Sequence, residues 1–184
     1  MVSVDADTLT EVVSPADEGV DQAGSSQFRL TAVVALVAIA LDQITKVIAN
    51  AQLTLHDPVD VFWTLEWELS HNTGSAFSLG AGSGLGPIIG IIAIVISAVV
   101  LFMSRSVHLR TIGVLLGLVA GGAIGNVIDR IFRTGNCGSR CDGFMRGAVI
   151  DFIDFNWWPV FNVADMCIVV GAIGLGLFGL RGDI

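Results

Sequence analysis

Charge is what this sequence has least of. Charged residues make up 14% of its 184 positions, where a soluble domain carries nearer a quarter. Lys and Arg together number 9 and form no basic stripe, which argues against nucleic acid as a partner. Residues 1–27 contain no Lys or Arg and little apolar content. They lack the positive n-region and apolar h-region of a secretory signal peptide, and are expected to form a disordered acidic tail holding Asp5, Asp7, Glu11, Asp17, Glu18 and Asp21. No HExxH segment is present and His56, His71 and His108 are scattered, so no metal site is expected. No Ser-His-Asp order suggests itself. Cys137 and Cys141 enclose a short loop that a disulfide could close on an oxidising side of a membrane; whether they pair stays open. Cys167 reads as a small buried residue.

What is abundant is apolar: 53% of the residues are hydrophobic and mean hydropathy is +0.78. Four long runs carry that excess, at about 28–50, 87–103, 112–132 and 161–180. At about 1.5 Å per residue each nearly spans a hydrocarbon core of roughly 30 Å. Backbone groups in lipid must be satisfied within the segment, so four helices are predicted. The fold class expected is an all-α membrane protein, a four-transmembrane-helix bundle over residues 28–184 with a small β element. Gly117, Gly121 and Gly125 recur at four-residue spacing, making a smooth face for close helix approach.

The first loop differs in character. Val61, Trp63, Leu65, Trp67 and Leu69 alternate with polar or unlike residues, the period of a strand with one apolar face. A small interfacial sheet is expected within about 59–80. Trp63, Trp67, Trp157 and Trp158 fall in the first and third loops, which share one side of the membrane, and tryptophan favours that interface. The Arg counts on the two sides do not fix orientation. The absence of Lys and Arg from residues 51–86 favours cytoplasmic termini.

Ionisable residues inside membrane helices cost roughly 2.5–3.5 kcal/mol each at the bilayer centre, so those present need a reason. Asp42 and Lys46 share a helix face at i, i+4, either as a neutralised pair that pins the helix or as a ligand-orienting pair. Asn126, Asp129 and Arg130 present an amide, a carboxylate and a guanidinium together. Asn162 and Asp165 repeat an amide–acid spacing where the fourth helix begins, and Asp151 lies in an apolar context that raises a carboxyl pKa. Two carboxyls sharing one proton can run hydrolysis at neutral pH. From the residues alone, Asp151, Asp154 and Asp129 all remain open as partners for Asp165. A proton-coupled transporter is the rival reading, but the polar groups sit at helix ends on one side and no internal repeat is visible.

Five ordered blocks carry a resemblance. Asp42-x-x-Thr45-Lys46, Asn72-Thr73-Gly74-Ser75-Ala76-Phe77, Gly121 to Arg130, Val149-Ile150-Asp151-Phe152 and Phe161-Asn162-Val163-Ala164-Asp165 are similar to the signature segments of the bacterial lipoprotein signal peptidases (signal peptidase II, aspartyl peptidase family A8). The resemblance implies a cell-membrane enzyme with cytoplasmic termini, an extracytoplasmic β-cradle and an active site near that face. Its implied substrate is a prolipoprotein, cut before a diacylglyceryl-modified cysteine. It implies Asp151 and Asp165 as the catalytic pair and Asp42, Lys46, Asn72, Gly74, Asn126, Asp129, Arg130, Asn162 and Ala164 around the substrate, with Asp129 as a supporting carboxylate. It also implies membrane lipid as a partner, a monomer, and no cofactor. The stretch 131–147 is longer than the resemblance leads one to expect, and the acidic tail lies outside it.

Overall fold

The computed structural model describes residues 15–74, 85–133, 141 and 143–181, with side chains between 27 and 180. Its elements in order are α1 (Pro15–Gln52), β1 (Val59–Phe62), β2 (Leu65–Asn72), α2 (Gly86–Met103), α3 (Arg110–Phe132), β3 (Val149–Asp154) and α4 (Val163–Arg181). All four helices contain a segment long and apolar enough to cross a membrane. The expected four-helix bundle with a small sheet is therefore the fold.

Two boundaries differ from expectation. Helix α1 starts at Pro15, so residues 15–27, expected in the acidic tail, continue the helix. Proline suits a first helical turn. Residues 1–14 lie outside the described residues. The alternating run in the first loop is also not one strand. A two-residue turn at Trp63–Thr64 folds it into the β1–β2 hairpin, with Phe62 paired to Leu65. Trp63 sits at the tip with φ 55°, 89% exposed. The apolar alternation survives only in β2, where Leu65, Trp67 and Leu69 pack with Ile150, Phe152 and Ile153. Residues 75–80, the end of the expected β region, lie outside the described residues.

Helix α1 is inside-out relative to a helix in water. Thr31, Ala35, Ala38, Asp42, Lys46 and Ala49 are buried, whereas Val33, Leu36, Val37, Leu41, Ile44, Val47 and Ile48 are exposed. Small and polar groups face the bundle and large apolar ones face out, the arrangement that lipid demands. Helix α3 is the central element, packing on α1, α4 and α2. Its glycine stripe supplies the closeness the sequence suggested. A Cβ on Gly117 would lie 2.8 Å from Thr31 O, one on Gly121 2.7 Å from Ala35 O, and one on Gly125 2.6 Å from Asp42 Oδ2. Gly122, on the neighbouring face, abuts Ala164 O of α4. The three strands form an antiparallel sheet in the order β1-β2-β3. Ala49 of α1 joins the apolar layer beneath it, so the sheet is seated on one end of the bundle.

Candidate active site

Strand β3 brings Asp151 to the junction of sheet and bundle. It pairs with Ser70 of β2, which places Asn72, two residues on, along the same face. Asn72 Nδ2 donates to Asp151 Oδ2 at 3.0 Å, and Asn162 Nδ2 donates to Asp151 Oδ1 at 2.6 Å. Asp151 is almost wholly buried. Burial first, and then the neighbouring Asp165 charge, push its carboxyl up to about 7 from an ordinary value near 3.8; the two amide donors pull the other way.

The first turn of α4 presents Asp165 through a reciprocal cap. The Asp165 backbone N–H donates to Asn162 Oδ1 at 3.0 Å, while Asp165 Oδ2 accepts from the Asn162 N–H at 3.3 Å. This is the capping-box geometry with an Asp in the usual Glu place, and it satisfies two otherwise orphan donors. The other carboxylate oxygen, Oδ1, accepts from Asn126 Nδ2 of α3 at 2.8 Å. Asn162 Nδ2 also reaches Asn126 Oδ1 at 3.2 Å. Two amides thus tie the Asp151 and Asp165 carboxyls into one network.

A second network, fully buried at its Asp42, Lys46 and Asp129 centre, lies behind the first. Lys46 Nζ donates to Asp42 Oδ2 at 2.8 Å, to Asp129 Oδ2 at 2.8 Å and to Asn126 Oδ1 at 2.9 Å. Asp42 Oδ1 accepts from the Ala164 N–H at 3.0 Å, fastening α1 to the start of α4. Asp129 Oδ2 accepts from the Ile150 N–H at 3.3 Å, fastening α3 to β3. Arg133 Nε donates to Asp129 Oδ1 at 2.7 Å, and Gln43 Nε2 donates to Asp42, Asp129 and Gly125 O, each at 3.1 Å.

A cavity of about 470 Å³ opens in front of the carboxyls. Asn72, Asn126, Arg130, Asp151 and Asp165 form its polar end. Ile89, Ile92, Ala93 and Ile96 of α2 and Val119, Ala123 and Val127 of α3 make an apolar trench below, which Ile168 of α4 closes opposite. Arg130 is 6% exposed, and its Nη1 has no hydrogen-bond partner among the described residues. Its guanidinium lies within electrostatic reach of Asp151 and Asp165. A buried donor of this kind is costly unless something it binds completes it.

The structure brings Asn72, Asn126, Arg130, Asp151 and Asp165 to the cavity, with Asn162 directly behind. Asp42, Lys46 and Asp129, expected around the substrate, have fully buried side chains and do not line the cavity. The lining role expected of Asp42 and Lys46 is corrected to a supporting layer, which they share with Asp129, since each other's charge satisfies them. Ala164 contributes its backbone N–H from a fully buried position. Gly74, at φ 118°, takes a left-handed turn whose N–H donates to Asn72 Oδ1 at 3.0 Å, and it lies against the Gly86 backbone. Asp154 does not join the site; it accepts from the Asn156 N–H at 2.8 Å in the loop before α4. Sequence reasoning missed Gln43 and Arg133, although Arg133 stands at i+4 from Asp129, a spacing that puts the two on one helix face. It also missed Trp158, Pro159 and Val160 as cavity wall. Cys141 is buried and disulfide-bonded, while Cys137 lies outside the described residues. No group of three or more His, Cys, Asp or Glu among the described residues could hold a metal ion.

Fold and site together define a polytopic membrane protein with two amide-linked carboxyls at the polar end of an apolar cavity. Residues 34–181 match the Signal peptidase (SPase) II family, and the chain belongs to that family. Among curated relatives, the lipoprotein signal peptidase of Mycolicibacterium smegmatis is 37% identical over 94% of this chain and 75% of its own length. That of Mycobacterium tuberculosis strain H37Rv is 36% identical over 98% of this chain and 85% of its own length. Two solved structures of a bacterial membrane enzyme, both 26% identical, superpose with TM-scores of 0.68 and 0.66. They cover 82% and 84% of this chain, and 87% and 94% of their own. The protein is thus a multi-pass membrane peptidase that processes lipoprotein signal peptides.

Proposed function

We propose that the protein is an aspartyl endopeptidase that cleaves a prolipoprotein immediately before its diacylglyceryl-modified cysteine. The observation that carries this reading is the pairing of Asp151 and Asp165 at the polar end of one cavity, in unlike surroundings. Asp151, pushed up to about 7 by burial and by its neighbour, holds a proton near neutrality. Asp165 sits in the first turn of α4, where the helix dipole favours negative charge, and accepts two hydrogen bonds. Asp165 takes a proton from water as the oxygen attacks the scissile carbonyl carbon, and Asp151 gives its proton to the carbonyl oxygen. Collapse of the tetrahedral diol breaks the C–N bond. The amine leaves with the proton Asp165 had taken, and a hydroxyl proton of the diol returns to Asp151.

Arg130 Nη1 and the Asn72 amide face the space where a substrate backbone would run, and the trench between α2 and α4 suits the apolar part of a membrane-held substrate. The termini are assigned to the cytoplasm and the cavity to the extracytoplasmic face. The Lys- and Arg-free first loop favours this orientation, as does the buried disulfide at Cys141. Purified protein is expected to cut a lipidated prolipoprotein, and Asp151→Asn and Asp165→Asn to abolish cutting. Full activity in either variant would refute the pair. Unlipidated precursor should be cut poorly; equal cutting would mean that the diacylglyceryl group goes unrecognised.

A further inference from the structure

Lys46 is the only lysine in the chain. Its side chain is fully buried and does not line the cavity. An ammonium has three protons and only donates. Here each proton has one acceptor: Asp42, Asp129 and Asn126 Oδ1. The last contact fixes which way the Asn126 amide points. With Oδ1 held by Lys46 and by Asn162 Nδ2, the Asn126 NH2 group must face Asp165 Oδ1, where it donates at 2.8 Å. A flipped amide would set donor against the ammonium and against Asn162 Nδ2, and acceptor against the Asp165 carboxylate. All three contacts are part-buried and two of them involve a charged group, so the flip is disfavoured.

We propose that Lys46 is a positioning residue that acts through Asn126: its ammonium locks the amide that aims and holds the Asp165 carboxylate. The proposal rests on the reading of Asp151 and Asp165 as the catalytic pair. Arg133 and Gln43 serve the same end one layer further out. Arg133 adds the second positive charge that balances Asp42 and Asp129, and Gln43 bridges those two carboxylates. The competing account is that Lys46 only neutralises buried carboxylates and has no link to the chemistry.

A double-mutant cycle separates the two, with kcat and KM measured on a lipidated prolipoprotein for Lys46→Met, Asn126→Ala and the pair. Lys46→Met should lower kcat about 10- to 100-fold, the range of a lost charge-assisted hydrogen bond. KM should stay within about threefold, because Lys46 does not reach the cavity. The double variant should match Asn126→Ala within about threefold, since the second change removes what the first acts through. Losses that multiply, or a rise in KM with kcat unchanged, would overturn the proposal. Should Lys46→Met not accumulate in membranes, Asp42→Asn with Lys46→Met takes its place. That variant leaves Asp129 and Arg133 as a balanced pair at 2.7 Å. Full activity in Asp165→Asn would overturn the catalytic pair, and this proposal with it. Multiplicative losses alongside an inactive Asp165→Asn would overturn the role of Lys46 alone.

Discussion

Asn162 performs two separable tasks, and substitution can split them. Through Oδ1 it caps α4 by accepting from the Asp165 N–H; through Nδ2 it donates to Asp151 Oδ1 at 2.6 Å. Serine caps a helix as well as asparagine does, whereas alanine costs about 1 kcal/mol at that position. A serine hydroxyl is too short to replace the amide as a donor to Asp151. Both variants lose the buried amide donor, so the cap shows in their difference: Asn162→Ser should be about 1 kcal/mol more stable in detergent than Asn162→Ala. Both remove a hydrogen bond to a carboxylate, worth about 1.5–3 kcal/mol, which corresponds to a fall in kcat of roughly 10- to 150-fold. The assay is hydrolysis of lipidated prolipoprotein at saturating substrate, beside thermal unfolding of the same preparations. Parent-like kcat in Asn162→Ser would show that the amide contributes nothing to the site beyond its cap.

The remaining predictions concern pH, the cavity and packing. Because Asp151 is raised to about 7 from about 3.8, its acid function is present below about pH 7 and is lost as the pH rises through that value. The alkaline limb of kcat/KM should lie there, and an undiminished kcat/KM to about pH 9 would sink the assignment. The same shift makes the folded chain hold a proton that the unfolded chain has released between about 3.8 and 7, so stability should fall as pH rises across that window. Denaturation midpoints at several pH values would test this. Arg130→Lys keeps the charge but loses the planar fork, and kcat/KM should fall about tenfold or more; an unchanged value would mean Arg130 does not bind substrate. Gly122→Ala places a methyl against Ala164 O and 2.9 Å from Ile168 Cγ1. It should cost about 1–3 kcal/mol and reduce activity by displacing α4. Gly176→Ala, with nothing within 4 Å, is the control that should change neither, and equal losses in both would refute the packing argument.

The helices were legible because lipid imposes a one-dimensional rule. A span must be long, apolar and internally hydrogen-bonded, and four such runs can be read directly. That some helix approaches α3 closely was legible too, since Gly117, Gly121 and Gly125 recur with the period of a helix face; that the partner is α1 was not. The hairpin was harder to read. Alternation continues through Trp63 and Thr64 with no Gly or Asn to mark the turn, so one strand was expected where two exist. Gln43 could not be read because Gly125 and Asp129, to which it donates, lie on another helix, whereas Arg133 carried a readable signal in its i+4 spacing from Asp129.

What the sequence determined by itself was the class of molecule and the inventory of polar groups too costly to leave in lipid without purpose. Resemblance in five ordered blocks then singled out Asp151 and Asp165 as the expected pair. Only the tertiary structure sorted the remaining groups by depth. It set Asn72, Asn126 and Arg130 with the two carboxyls at the cavity, and Asp42, Lys46 and Asp129 behind them as a charge-balanced layer. Depth is fixed by how α1, α3, β3 and α4 converge from positions far apart in the chain, and helical periodicity specifies a face but not what covers it.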